Sequence, residues 1–295
     1  MDSGSGYRLV KLASGAHSVH SLAHHETFHP VVGPAAEAGA LYVRQLGLVE
    51  RLRRQEGEFV IWDVGLGAAA NPLTVLQAAR EVPCSIRLLS FDHTLEPLRF
   101  ALRHTQYLSY LAGFEPHLRR LLEEGQVSFS HGNLAVKWEA RVADFPALLS
   151  RPDALALPKP HTILFDAFSP ATNPAMWTQP LFAGLHRLLD PERPCALPTY
   201  SRSTMLRVTL LLAGFYVGIG EATGEKEETT VAANSLALLS RPLGRRWLER
   251  ARRSTSAEPM WEPRYRQAPL SPQTWERLRD HPQFRTPEAD ASGFG

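Results

Sequence analysis

The sequence predicts an α/β protein built on a mostly parallel, doubly wound sheet. Three observations carry that reading: apolar runs too continuous for half-exposed strands, such as EFVIWDV and HTILF, helical spacings between them, and a glycine turn directly after the first strong strand. The 295 residues, 44% hydrophobic and 21% charged, supply a sizeable core and exclude collagen-like and disordered classes.

Taken in order, the first thirty residues hold five of the twelve histidines, His17, His20, His24, His25 and His29. Their spacing matches no HExxH pattern and no cysteine lies nearby, so no metal is expected. From Pro34 to Arg54, apolar positions recur at threes and fours behind a first-turn proline, the signature of an amphipathic helix. The strand EFVIWDV then breaks into GLGAAANP before a helix from Leu73 to Arg80. A second strand, SIRLLSF, ends at Asp92 and leads into helical spacing through Leu98, Leu102 and Leu108, and HLRRLLEEG stops at Gly125. VSFSHGN and VKWEARVADF read as short strands or as one interrupted strand. HTILFDAF is another buried strand, followed by the turn SPATNP and a helix from Trp177 to Leu189. CALPTYS, the helix RSTMLRVTLLLAG, and the helix-free pair FYVGIGEA and TTVAANSLALL complete the series, the last two predicting an antiparallel edge pair. Beyond Arg241, seven prolines and eleven arginines fall in the last 55 residues, which read as an extension wrapping the domain with short helices at RRWLERARR and PQTWERLRDH.

Only Cys84 and Cys195 occur, without a CxxC, which argues against a disulfide framework or thiolate zinc site. No run is long enough to span a bilayer and the N-terminus lacks a signal-peptide core, so the expected compartment is the cytoplasm, with no membrane contact. The net charge of +2 does not announce nucleic acid; the Arg241–Arg266 stretch, with eight Arg against three Glu, reads as a phosphate-facing patch or as a solvated face.

Chemistry concentrates at predicted strand ends. Gly65 and Gly67 follow the first strand where a parallel sheet places its ligand crevice. Neither the full GxGxxG nor GxxxxGK[ST] is present, which disfavours dinucleotide and triphosphate binding and leaves a nucleoside. Asp92 can accept both hydroxyls of a ribose or cap a helix. Asp144 and Phe145 offer an acceptor and an apolar wall for a base, with Asn133 as the competing choice. Asp166 ends a strand at the same edge as Asp63 and Asp92, and the next turn brings Phe168, Ser169, Pro170, Asn173 and Trp177. A carboxylate beside aromatics suits methyl transfer to an amine, an in-line displacement that needs a desolvated, aligned nucleophile, with Asp166 orienting the amine and receiving its proton. Asp166 also reads as a turn cap and Trp177 as a core residue.

HETFHPVVGPAAEAGALYV, FVIWDVGLGAAAN, LFDAFSPATNPAMWTQPLF, TYSRSTMLRVTLLLAGF and TGEKEETTVAAN, in that order over roughly residues 7 to 240, resemble the MnmC-type tRNA methyltransferase domain, a class I S-adenosylmethionine-dependent family. The resemblance implies a Rossmann-like, seven-stranded, mostly parallel sheet with an antiparallel edge pair. It divides the chain into an N-terminal extension over 1–57 whose helix covers the cofactor site, a methyltransferase core over 58–240, and an Arg/Pro-rich extension over 241–295. It also implies Asp63, Gly65, Gly67 and Asn71 at the methionine and ribose end of the cofactor, Asp92 at the ribose, Asp144 and Phe145 around adenine, and Glu37 and His29 closing over it. Asp166, Phe168 and Pro170 would lie beside the transferred methyl, and Trp177, Tyr200 and Lys226 on the substrate side. Ala69 stands where the family usually has a third glycine, which would alter the backbone approach to the methionine moiety. No flavin fingerprint occurs after this region, so a stand-alone form without the FAD oxidase domain is expected.

The expected function is transfer of a methyl group to the amino nitrogen of 5-aminomethyluridine, or its 2-thio form, at the wobble position of tRNA. The alternatives are a methyltransferase for a small amine, and a non-catalytic nucleoside or RNA binder.

Overall fold

In the computed structural model, residues 6–223 and 227–285 are described, and they form two units. The first unit draws on Met1–Phe145, Pro160–Phe168 and Ala222–Glu227, the second on Pro146–Lys159, Ser169–Glu221 and Glu228–Gly295. Along the chain come β1 (Tyr7–Lys11), β2 (His17–Ser21), β3 (Glu26–Thr27), α1 (Pro34–Ala38), α2 (Leu48–Arg54), β4 (Glu58–Val64), α3 (Ala70–Ala79), β5 (Ser85–Asp92), α4 (Glu96–Leu102), α5 (Glu115–Glu124), β6 (Gln126–His131), β7 (Leu134–Val142), α6 (Phe145–Leu149) and β8 (Thr162–Phe165). Then come α7 (Gln179–Leu188), β9 (Ala196–Thr199), α8 (Thr204–Leu212), β10 (Tyr216–Gly220), β11 (Thr229–Ala233), α9 (Arg245–Arg252) and α10 (Pro272–Arg279).

In the first unit the strands run β8-β4-β5-β7-β6. β4 is parallel to both β8 and β5, β5 is parallel to β7, and β6 returns antiparallel on β7. The continuous apolar run of β4 is explained by its burial from Phe59 to Val64, with Trp62 meeting Phe91 edge-on at 5.4 Å. The register pairs Asp63 with Ser90 on β5 and with Leu164 on β8, so three strands end at one edge. The ambiguous VSFSHGN and VKWEARV resolve into two strands, β6 and β7, joined through Gly132 at φ 60, where a Cβ would lie 2.3 Å from the Arg80 carbonyl oxygen.

In the second unit β11 pairs antiparallel with β10 and with β9, the edge hairpin that the missing helix predicted. Its interior is built on Trp177, Phe182, Leu185, Leu210 and Phe215. The Arg/Pro-rich stretch is anchored there: the Gln283 side-chain amide donates to the Val217 and Leu243 carbonyls while its oxygen accepts from the Val217 amide. α9 and α10 fall where the two short helices were expected, α10 capped by the Ser271 hydroxyl accepting from the Thr274 amide.

Two features depart from the sequence reading. The segment before β4 begins with a three-stranded antiparallel sheet, β1-β2-β3. The single helix expected over Pro34–Arg54 is broken, with a π-helical turn at Gly39–Arg44 and left-handed Gly47 (φ 54) between α1 and α2.

Candidate active site

The site assembles inside the first unit, at the carboxyl ends of β4, β5 and β8. After Val64 the chain turns through Gly65 (φ 93) and Gly67 (φ 51). The Gly65 amide donates to the Phe91 carbonyl at 2.9 Å, and the Asp166 amide donates to the Val64 carbonyl at 2.9 Å. These bonds lock the three strand ends together. Gly65 is obligatory, because a Cβ there would come within 2.6 Å of the Asp166 carbonyl oxygen. Ala69, which caps α3, adopts φ 63 in the left-handed region; this explains why glycine suits the position, and alanine costs about 1 kcal/mol there.

Asp92 ends β5, and its carboxylate accepts from the Gly67 amide at 2.9 Å and from the Thr94 amide at 3.3 Å, so it is bonded to the glycine turn itself. His93 lies 3.1 Å from the same carboxylate, whose hydrogen bond raises the imidazole pKa. Asp63 is fully buried: the Ser90 hydroxyl donates to Oδ2 at 2.7 Å and the Trp138 indole donates to that hydroxyl at 2.9 Å. Burial, opposed by the Ser90 hydrogen bond and reinforced by Asp166 and Asp92, pushes the Asp63 pKa up to about 8. Asp63 Oδ1 and Asn71 Oδ1 are buried acceptors without a hydrogen-bond partner.

Asp166 follows β8. Its Oδ2 accepts from the Asn71 side-chain amide at 2.8 Å and lies 3.5 Å from His29 Nε2. His29 turns its other ring nitrogen, Nδ1, to Glu37 Oε1 at 3.6 Å. Burial lowers the His29 pKa, but Asp166 and Glu37 together outweigh it and raise the group above its ordinary value. The His29, Glu37 and Asp166 ligand atoms all lie within 4.8 Å of one another. Beside them, Phe168 stacks on His24 with centroids 4.3 Å apart and meets Phe28 at 5.6 Å, while Phe28 also lies against Gly67.

Of the residues expected to hold a cofactor, Glu37, Asp63, Gly65, Gly67, Asn71, Asp92, Asp144 and Phe145 all belong to this unit. Phe145 packs on Phe91 at 5.2 Å, and the Ala143 amide, next to exposed Asp144, donates to the Asp92 carbonyl. The competing Asn133 sits at the opposite edge, where β7 starts, bonded to Arg80 and Glu81. Asp166 and Phe168 also belong to the first unit; Pro170, Trp177 and Tyr200 belong to the second. There, Trp177 is only 1% exposed and meets Tyr200 edge-on at 5.9 Å. Lys226 lies outside the described residues.

Residue-by-residue sequence reading missed the Ser90–Trp138 support behind Asp63, and the roles of His24 and Phe28. Ser90 and Trp138 sit in strands whose period was hidden by continuous burial. The only signal for the aromatic cover was the HETFHP resemblance.

Comparison with known proteins bears on the fold that carries this site. Residues 119–235 match a family described as S-adenosyl-L-methionine-dependent methyltransferase. The bifunctional protein MnmC of tRNA 5-methylaminomethyl-2-thiouridine biosynthesis from Cupriavidus necator is 27% identical over 238 residues, 76% of this chain and 35% of that protein. Its namesake from Cupriavidus metallidurans is 29% identical over 221 residues, 70% of this chain and 31% of that protein. The chain thus spans about a third of the length of these curated relatives. Among solved structures, MnmC2 from Aquifex aeolicus superposes with a TM-score of 0.66 at 23% identity, covering 95% of this chain and 85% of that one. A spermidine synthase in complex with the transition-state analogue AdoDATO superposes at 0.50 with 10% identity, covering 92% and 84%. Both are likenesses of fold.

Proposed function

From a chain with MnmC-type methyltransferase kinship and the class I S-adenosyl-L-methionine-dependent methyltransferase fold, we propose an enzyme that methylates the amino nitrogen of 5-aminomethyluridine, or its 2-thio form, at the wobble position of tRNA. The observation that carries the reading is Asp166: a carboxylate at the end of β8, fixed by Asn71 and His29 beside the Gly65–Gly67 turn.

The residues fit the cofactor. The unpartnered Asn71 Oδ1 is an acceptor suited to an α-ammonium group, as is Asp63 Oδ1 once that cation draws the proton off its carboxyl, and Asp92, held on the glycine turn, keeps lone pairs for a ribose diol. Phe145 supplies an apolar wall, with Asp144 as a base acceptor, and Glu37 and His29 belong to the segment that covers the turn. S-adenosyl-L-methionine, when bound, supplies a sulfonium methyl that an amine lone pair displaces in line, the C–S pair leaving with sulfur.

The chain's own part is to desolvate, orient and deprotonate. The Asp166 carboxylate accepts an N–H of the acceptor amine, aims its lone pair and receives the proton released as the N–C bond forms. Phe168, stacked on His24, excludes water on one side. Pro170 stiffens the turn after Phe168. Trp177 and Tyr200, which meet edge-on, and Lys226 are assigned to the substrate side by resemblance alone. Support for a tRNA partner comes from the eleven arginines between Arg241 and Arg285, every one exposed, against five acids in the same stretch. Among the described residues no helix is long and apolar enough to cross a membrane.

The test is transfer of labelled methyl from S-adenosyl-L-methionine to tRNA carrying aminomethyluridine, beside tRNA lacking it, with nucleoside analysis. Label only in methylaminomethyluridine is expected, and Asp166→Asn lowers turnover by at least about 100-fold with cofactor affinity within threefold. Cofactor binding without label in either tRNA moves the acceptor to a small amine, and no cofactor binding leaves a non-catalytic binder.

A further inference from the structure

In the second unit, a loop of the Arg/Pro-rich extension offers aromatic side chains to solvent and holds them there. Its base is closed where the Ala257 and Glu258 amides both donate to the Ala268 carbonyl at 2.9 Å. The Met260 carbonyl, accepting from the Gln179 amide at 2.8 Å, ties the loop to the start of α7. Ala257 and Met260 are buried, whereas every residue from Trp261 to Gln267 is exposed, Trp261 by 39% and Tyr265 by 40%. The Trp261 indole donates to Glu258 Oε1 at 3.2 Å, and Glu258 is itself fixed by the Ser271 amide at 2.8 Å and the Thr274 hydroxyl at 2.7 Å. The Arg277 guanidinium of α10 lies 5.3 Å from the centre of the same indole, and the Gln267 side-chain amide donates to the Tyr265 hydroxyl at 2.7 Å. Both rings are thus fastened by their polar edges, so little ordering is left to be done when a ligand arrives.

We propose that this loop is a stacking platform for unpaired nucleotides of RNA. Its exposed stretch, WEPRYRQ, carries two planar rings and two guanidinium groups, Arg264 and Arg266, against one acid, Glu262, and contains no Leu, Ile, Val or Met. Arg277 adds a third cation beside Trp261. An unpaired strand presents the matching chemistries in alternation: flat bases that stack on aromatic faces, and phosphates that pair with guanidinium. A paired helix hides its base faces and would meet only the charges, while a protein partner would call for an apolar core around the rings, which this stretch lacks. The anchor also gives the platform a place, because Gln179 follows Trp177 by two residues, in the segment that the resemblance assigns to the substrate side. The identity of the RNA as tRNA rests on the function proposed above. The stacked bases are then unpaired neighbours of the wobble uridine in the anticodon loop.

Fluorescence anisotropy of the full chain with a labelled anticodon stem-loop, beside a fully paired RNA duplex of the same length, tests the platform. Trp261→Ala and Tyr265→Ala are each expected to weaken stem-loop binding about tenfold or more, with duplex binding within about twofold. The salt dependence should stay as it is in these two variants, whereas Arg264→Gln combined with Arg266→Gln should flatten the log–log slope by about 1 to 1.5. Tyr265→Ala spares the Trp261–Glu258 bond, so it reads the platform independently of any disturbance to that anchor. Equal losses for stem-loop and duplex, or unchanged stem-loop affinity in both aromatic variants, overturn the proposal. Self-association of the wild type that either variant abolishes, seen by sedimentation, overturns it in favour of an interface between copies of this chain. Turnover separates the inference from the function it rests on, since the KM for tRNA is expected to rise about tenfold with kcat within about threefold. Methylation of tRNA with KM unmoved in both variants refutes the platform and leaves the methyltransferase reading standing. Ring-dependent binding of the stem-loop without methylation supports the platform and refutes that reading.

Discussion

Asp63 makes a prediction whose size comes from its surroundings. Its carboxyl is fully buried, receives one hydrogen bond, from Ser90, and titrates at about 8 instead of 3.8. The folded protein therefore prefers the neutral acid, while the unfolded chain gives up the proton at 3.8. Between those values the folded state binds the extra proton, so the contribution of Asp63 to stability falls as pH rises, and it levels off above about 8. Asp63→Asn retains an oxygen for the Ser90 hydroxyl and removes the titration. In the absence of cofactor, the variant should gain on the order of 4 kcal/mol relative to wild type between pH 5 and pH 8. That is a large part of the roughly 5–15 kcal/mol that a domain possesses. Urea unfolding of both proteins at half-unit pH steps measures it, and every other titrating group is common to the pair. A wild-type-to-variant difference that stays flat to within about 1 kcal/mol from pH 5 to pH 8 refutes the argument, because Asp63 would then be ionised in the folded protein throughout.

Two other expectations come from geometry alone. Gly65→Ala places a methyl group 2.6 Å from the Asp166 carbonyl oxygen at φ 93, so it should cost about 2–4 kcal/mol and reduce kcat by displacing Asp166; wild-type values in urea unfolding and turnover would show that the strand ends can separate freely. Replacing Arg245, Arg246, Arg252 and Arg253 together with Gln should weaken binding uniformly across tRNAs and flatten its salt dependence by up to about 3–4 in log–log slope. Arg252, already over the Trp275 ring at 4.9 Å, is expected to contribute least, and an unchanged slope assigns the patch to solvent.

Much of the site was legible because each acidic residue follows a buried run. Asp63, Asp92 and Asp166 stand where hydrophobic strands stop, and a parallel sheet brings such ends to one edge whatever the distance in sequence. β1 to β3 escaped notice for the opposite reason. HSVHS and ET carry little apolar alternation, and Val19 is the only strongly buried aliphatic side chain in those strands. Their hydrogen bonds, not their composition, set Phe28 and His29. Asn133 competed, in second place, with Asp144 as a base acceptor because sequence does not say which end of β7 each one adjoins; the parallel register with β5 does. The expected helix over Pro34–Arg54 kept its apolar spacing on both sides of Gly39, and periodicity has no means of revealing that one turn between them is wider.

That wide turn has a bearing on how such sequences can diverge. The hydrogen bonds of Gly39–Arg44 reach five residues back, as from the Gln45 amide to the Ala40 carbonyl, so the turn stores one residue more than an α-helix would. Losing any single residue there lets the ring close to the α spacing, and the helical segment on its N-terminal side then swings by roughly 100° relative to the segment on its C-terminal side. Glu37 lies before the turn, while the Tyr42 hydroxyl, bonded to the Phe165 carbonyl, fixes the turn to the end of β8. A one-codon deletion in this stretch therefore rotates Glu37 away from His29 without touching any residue of the site, so among the descendants of this gene, length between Gly39 and Arg44 should vary less than the identity of the residues that fill it.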